Sequence, residues 1–238
     1  RRVLFRSLMG GLSLLMTVVK LKGEWSGAAG DSFDLTGAIL YVTGIVAMLY
    51  GISNVAASHW AGGILLLGLA FIVLFVRHEN RDDQPLIKMK LFKNTGFAFS
   101  NLAALINYSA TFAVSFLLSL YLQVVKGLDS QTAGLVLLAQ PVVMALLSPF
   151  AGRLSDHVEP RLLASWGMAL TTLGLFFLAF INGSIPVWWL IINQAVLGIG
   201  FALFSSPNSN AVMSSVEKRY YGVASSTLGT MRLIGQSV

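Results

Sequence analysis

Apolar residues run in long blocks along this chain, and polar residues gather in short clusters between them. A helix needs about 20 such residues to cross the hydrocarbon core of a bilayer. Judged by apolar length and polar boundaries, six complete spans are predicted, at roughly 33–52, 60–76, 95–122, 132–150, 161–181 and 187–214. Two partial spans lie at 8–19 and 222–238. The connections are short, so consecutive helices should be antiparallel neighbours. No strand alternation is present. The expected fold class is all-α: a polytopic membrane helical bundle with about six complete and two partial transmembrane helices. Pro207, in the stretch SSPNSN, should kink the sixth span by removing a backbone hydrogen bond.

Composition agrees with this. Of 238 residues, 55% are hydrophobic and 11% charged, and the mean hydropathy is +0.75. Soluble domains carry roughly 25% charged residues. The net charge of +6 reflects where the basic residues sit. Lys20, Lys22, Arg77, Arg81, Lys88, Lys90, Lys93, Arg153, Arg161, Lys218 and Arg219 fall in connections on one side of the predicted bundle, against Lys126 alone on the other. That asymmetry makes the first side cytoplasmic. It also argues against nucleic acid as a partner, because no basic face interleaved with aromatics appears. Membrane lipid is the expected neighbour of these charges.

Both ends look cut. The heptapeptide RRVLFRS (1–7) resembles one reading frame of a sequencing-adapter oligonucleotide and is read as a cloning scar. The final span starts at 222 and stops without a polar flank. The expectation is an internal piece of a larger protein.

Little in the sequence suggests an enzyme. There is no cysteine, and His59, His78 and His157 fall in loops or at span ends on different sides. No HExxH, GxSxG or phosphate-loop motif occurs, so no catalytic residue, metal or cofactor is expected. Glu79, Asp82 and Asp83 alternate with Arg77 and Arg81, as in a solvated loop. Asp34 suits a helix start through the helix dipole. Glycines at heptad spacing (37, 44, 51; 167, 174; 222, 229) should let neighbouring helices approach closely.

The third span differs from the rest. At 100° per residue, Asn101, Tyr108, Thr111, Ser115 and Ser119 share one face, with Asn107 slightly aside. Polar groups in hydrocarbon need partners or water. The stripe therefore bonds to neighbouring helices or lines a wet cavity, and the cavity is favoured because Gln140, Asn193 and Gln194 are polar residues in other spans. Arg232 lies ten residues into the last span, where an arginine costs at least about 2.5–3.5 kcal/mol. Its partner is expected to be a backbone carbonyl, a polar side chain such as Gln140, or a carboxylate outside this sequence. The substrate-cavity candidates are Asn101, Asn107, Tyr108, Ser115, Gln140, Asn193 and Arg232.

The connection FAGRLSDHVEPR (150–161) resembles the Gly-x-x-x-Asp-Arg-x-Gly-Arg signature of the major facilitator superfamily. Gly152, Asp156 and Arg161 match, while His157 and Glu159 stand where the family has Arg and Gly. The ordered segments FDLTGAIL, RDDQPLIKMKLFKNTGFAFSNL, SLYLQVVKGLDSQTAGLVLL and VEKRYYGVASSTLGTMRLIGQS resemble the fourteen-helix drug:proton antiporter branch, and the likeness covers residues 8–238. The resemblance implies that 8–19 ends a truncated sixth helix and that 33–76 holds two linker helices. It makes 95–238 a C-terminal bundle lacking its last helix. The acidic proton-coupling residues would lie in an absent N-terminal half, the bundle's partner within the same chain. It further implies alternating access, with proton-driven export of hydrophobic or cationic small molecules. Gly152, Arg153, Asp156 and Arg161 would form a conformational latch, with Asp156 paired to Arg153 or Arg161 or set against a helix end. Two alternatives stay open: a carrier of another small solute, and a membrane assembly or sensor subunit that transports nothing.

Overall fold

A computed structural model describes residues 34–237 except 56, 57, 83, 84 and 86. These belong to one compact unit, Ser32–Val238. A separate unit, Arg1–Asp31, is described only at residues 10, 11, 14–17 and 19, which are helical. The heptapeptide 1–7 and most of the partial span 8–19 lie outside the described residues.

Eight α-helices make up the larger unit: α1 Leu35–Asn54, α2 His59–Glu79, α3 Thr95–Leu120, α4 Ser130–Leu137, α5 Ala139–Leu154, α6 Pro160–Leu178, α7 Val187–Ser214 and α8 Tyr221–Ser237. No strand occurs among the described residues. Among the described residues, six helical stretches are long and apolar enough to cross a membrane, with α4 and α5 counted as one and α3 extended to Val125. The six predicted spans coincide with them.

Local chemistry sets the boundaries. Asp34 caps α1 by accepting from Gly37 N at 2.8 Å, and Asn94 caps α3 by accepting from Gly96 N at 2.9 Å. Asp129 caps α4 through Gln131 N and Thr132 N. Before that cap, the chain turns at Gly127, whose φ of 63° suits glycine. The predicted span at 132–150 is divided at Leu138, because Pro141 has no N–H to donate to the Leu137 carbonyl. By contrast α7 runs through Pro207 as one helix.

Close packing uses glycine at backbone distance. A β-carbon at Gly68 of α2 would stand 2.6 Å from Met48 N of α1, and one at Gly51 2.7 Å from Leu65 Cβ. Between α6 and α7, a β-carbon at Gly167 would lie 2.5 Å from Phe204 N and 2.6 Å from Gly200 O. The last heptad pair departs from expectation. Gly222 and Gly229 have nothing within 4 Å of a β-carbon, because α8 meets α3 through Gly235, close to Leu105 O.

Helix α7 is central and packs against α3, α4, α5, α6 and α8. It and α3 run antiparallel, so two apolar cores form at opposite ends. One holds Leu118, Leu122, Leu190 and Leu197; the other holds Phe97, Ala104, Phe204 and Val212. Between them α3 carries Asn107, Tyr108 and Thr111, while the polar residues of α7, Asn193, Gln194 and those of 205–210, are set among its core residues. Outward faces carry Trp60, Phe116, Phe150, Trp166 and Phe180, all exposed. Such large apolar surfaces suit lipid contact.

Candidate functional site

Between the two cores is a cavity of about 420 Å³. Helix α3 contributes Tyr108, Thr111, Phe112 and Ser115. The α4–α5 break contributes Leu137, Gln140, Pro141 and Met144, α7 adds Gln194 and Phe201, and α8 adds Gln236. Leu137 and Pro141 are the two residues whose backbone hydrogen bond is lost, so the irregular backbone lies at the cavity wall. Backbone irregularity at membrane depth is tolerated where it lines a cavity or is buried in protein.

Hydroxyls on α3 are satisfied within their own helix. Thr111 Oγ1 donates to Asn107 O at 2.7 Å, and Ser115 Oγ donates to Thr111 O at 2.9 Å. Tyr108 reaches across instead: its hydroxyl is 3.5 Å from Ser205 Oγ, and its ring meets Phe201 edge-on at 5.1 Å. Arg232 stacks on the same ring, with Cζ 5.4 Å from the centroid, and donates to Ser209 Oγ at 2.8 Å. Its partners are thus a serine of α7 and an aromatic face of α3, with Gln140 not among them. Arg232 Nε is buried without a hydrogen-bond acceptor.

The other cavity candidates stand between helices. Asn101 Nδ2 donates to Phe97 O of its own helix, and Asn193 Nδ2 donates to Gly174 O of α6 at 3.2 Å. Asn107 is buried with Oδ1 unpartnered. Three of the seven candidates, Tyr108, Ser115 and Gln140, line the cavity. Arg232 joins it through Tyr108. Gln194 takes the place on the wall that its neighbour Asn193 was expected to hold. Its Oε1 is buried and unpartnered, which costs roughly 1–3 kcal/mol unless a ligand or water supplies a donor.

At the α5–α6 connection the latch candidates divide. A β-carbon at Gly152 would stand 3.1 Å from Ser206 Oγ, so this end of α5 lies against α7. Arg161 pairs with Glu159 at 3.9 Å, both exposed. Arg153 and Asp156 are exposed, and no ion pair joins Asp156 to Arg153 or Arg161 among the described residues. The strongest tie of this connection comes from residues that sequence reasoning passed over: Asn210 Nδ2 donates to Ser155 Oγ at 2.6 Å.

Asn210 closes the stretch SSPNSN, which serves as a hub. Ser205 faces Tyr108, Ser206 faces Gly152, Asn208 donates to Ser100 O at 3.1 Å, Ser209 accepts from Arg232, and Asn210 holds Ser155. The polar density around Pro207 was the available signal, and it had been read only as a kink.

The acidic cluster at the end of α2 is also corrected. Glu79 is 3% exposed, because the following connection folds back and Ile87 N donates to Glu79 Oε2 at 2.9 Å. Asp34 does more than face a helix dipole, since both its oxygens lie 3.1 Å from His78 Nε2.

Six apolar stretches long enough to cross a bilayer, folded around a mostly apolar cavity with a few polar groups on its wall, describe a multi-pass membrane protein. The family model for the Major Facilitator Superfamily matches residues 23–238, and the chain belongs to that superfamily. Its members are transporters, not enzymes. Among similar curated proteins is the riboflavin transporter RibZ of Clostridioides difficile, 31% identical over 84% of this chain and 44% of its own length. The uncharacterized transporter YebQ of Escherichia coli is 30% identical over 96% of this chain and 51% of its own. The multidrug resistance protein Stp of Mycobacterium tuberculosis is 26% identical over 97% and 43%. The chain spans about half the length of the curated relatives it matches.

Proposed function

We propose that this chain is one wall of a secondary transporter that exports hydrophobic or cationic compounds against inward proton flow, by rocking two helical bundles around a midplane site. The observation that carries the reading is the cavity between the two cores, with Tyr108, Ser115, Gln140 and Gln194 on its wall and Arg232 beside it. The names of Stp and of the lincomycin resistance protein LmrB of Listeria monocytogenes support export of drugs. In this reading residues 33–76 are two linker helices and 95–238 a C-terminal bundle. The facing bundle and the proton-coupling carboxylates come from the remainder of a relative-length polypeptide. The basic connections face the cytoplasm, and the membrane is the bacterial plasma membrane.

The test uses the relative-length protein in inverted membrane vesicles energised by a proton gradient. A lipophilic cationic dye should accumulate, and a protonophore should abolish the accumulation. Dye uptake equal to that of empty vesicles would overturn the reading. Asp156→Asn should lower uptake several-fold at equal membrane content, and unchanged uptake would remove the latch role. A second reading, a carrier of another small solute, is favoured by the likeness to RibZ. Saturable riboflavin uptake with no dye transport would select it.

A further inference from the structure

The joint between α1 and α2 collects titratable side chains that the cavity does not use. His78 Nε2 lies 3.1 Å from both Asp34 oxygens and 3.5 Å from Asp82 Oδ2. Ligand atoms of Asp34, His78 and Asp82 all fall within 4.8 Å of one another. Glu79 stands beside them, with Oε2 held by Ile87 N and Oε1 buried without a partner. That free oxygen points at the cluster: a β-carbon at Gly37 would stand 2.7 Å from it and would also collide with Asp34 Oδ2.

Three carboxyl groups and one imidazole therefore converge on a small volume, with Glu79 buried and the side chains of Asp34, His78 and Asp82 6%, 30% and 31% exposed. Of the cations nearby, Lys88 Nζ donates to Tyr220 Oη at 2.8 Å and Arg219 pairs with Glu217 at 2.9 Å, while Arg77 and Arg81 flank the cluster in sequence. Clustered carboxylates need a proton or a cation to offset their repulsion. Two ligand atoms about 2.1 Å from a tetrahedral or octahedral cation stand roughly 3.0–3.4 Å apart. The separations from His78 Nε2 to Asp34 and Asp82 are of that size. A mixed imidazole and carboxylate set suits Zn²⁺ or Mn²⁺. A cavity of about 540 Å³ borders the cluster at Glu79 and Asp82.

We propose that Asp34, His78 and Asp82, with Glu79 alongside, form a divalent-metal site that fastens the start of α1 to the end of α2. The ion would take the position of the proton that His78 shares with Asp34. The sequence alone gave no hint of it, since Asp34 and His78 are 44 residues apart.

The experiment titrates the chain in detergent with Zn²⁺ and, separately, with Mn²⁺. One ion per chain is expected, and Asp34→Asn and Asp82→Asn should each weaken binding at least tenfold. His157→Ala, in an exposed connection, should change nothing. Bound Mn²⁺ should show one nitrogen coupling by pulsed electron paramagnetic resonance, lost in His78→Ala. No binding above that of empty micelles would overturn the proposal, as would equal affinity in Asp34→Asn and Asp82→Asn. Asp82, whose side chain is 31% exposed, sits at the rim. Its variant should fold even if a buried one fails, so the test stays decisive.

Discussion

The α1–α2 pair and the α3–α8 bundle are both built of bilayer-length apolar helices, yet they put their polar atoms in different places. In the pair the chemistry sits at one end, with Asp34, His78 and Glu79, and the helices meet along their length through Gly44, Gly51 and Gly68. In the bundle the polar residues are spread along the helices between apolar core residues, some on the wall of a cavity and others in the hub at 205–210. A pair fastened at its end suits a scaffold. Polar groups kept at membrane depth carry a solvation cost that a scaffold does not require, which is why the bundle is the part proposed to act in transport.

Substitutions can break or sharpen this contrast. The largest effect is expected for Arg232→Leu in the relative-length protein. Dye uptake should fall at least tenfold at equal membrane content, because the residue's cost in the membrane is offset only if it works there; unchanged uptake would make the bundle as inert as the pair. Next, Gly167→Leu should destabilise the bundle by about 3 kcal/mol or more, since a β-carbon would meet the backbone of Phe204. Gly44→Leu in the pair should cost less, because the nearest obstacle is the flexible end of Ile72. Thermal melting in detergent compares the two, and equal losses would show both contacts to be equally rigid. Asn210→Ala should cost about 1 kcal/mol through loss of the Ser155 bond. Smallest of all, Gly222→Ala should be neutral or stabilising by up to about 1 kcal/mol, because that face is open.

The helices were legible because a bilayer sets their length and excludes unpaired backbone, so apolar block length alone predicts them. The division at Leu138 was also written in the sequence, at Pro141, but block length passes over it. Contacts were less legible. Asn193 and Gln194 are one residue and about 100° apart, so one meets α6 and the other the cavity, and no periodicity says which. The burial of Glu79 depends on a connection that folds back to bring Ile87 N to it, and Arg232 finds its partners 23 residues away on α7 and farther off on α3. Such pairings come from tertiary packing and leave no local pattern.

The hub at 205–210 also bears on how the bundle responds to several changes at once. Five of its six residues touch α3, α5, the α5–α6 connection or α8. Substitutions at Ser155 and Arg232, whose side chains bond to the hub and not to one another, therefore act on a single shared element. Their free energies should fail to add, and double-mutant cycles between residues on different helices should return coupling of about 0.5 kcal/mol or more. The bundle would then lose stability as one cooperative body, with α7 as its common term.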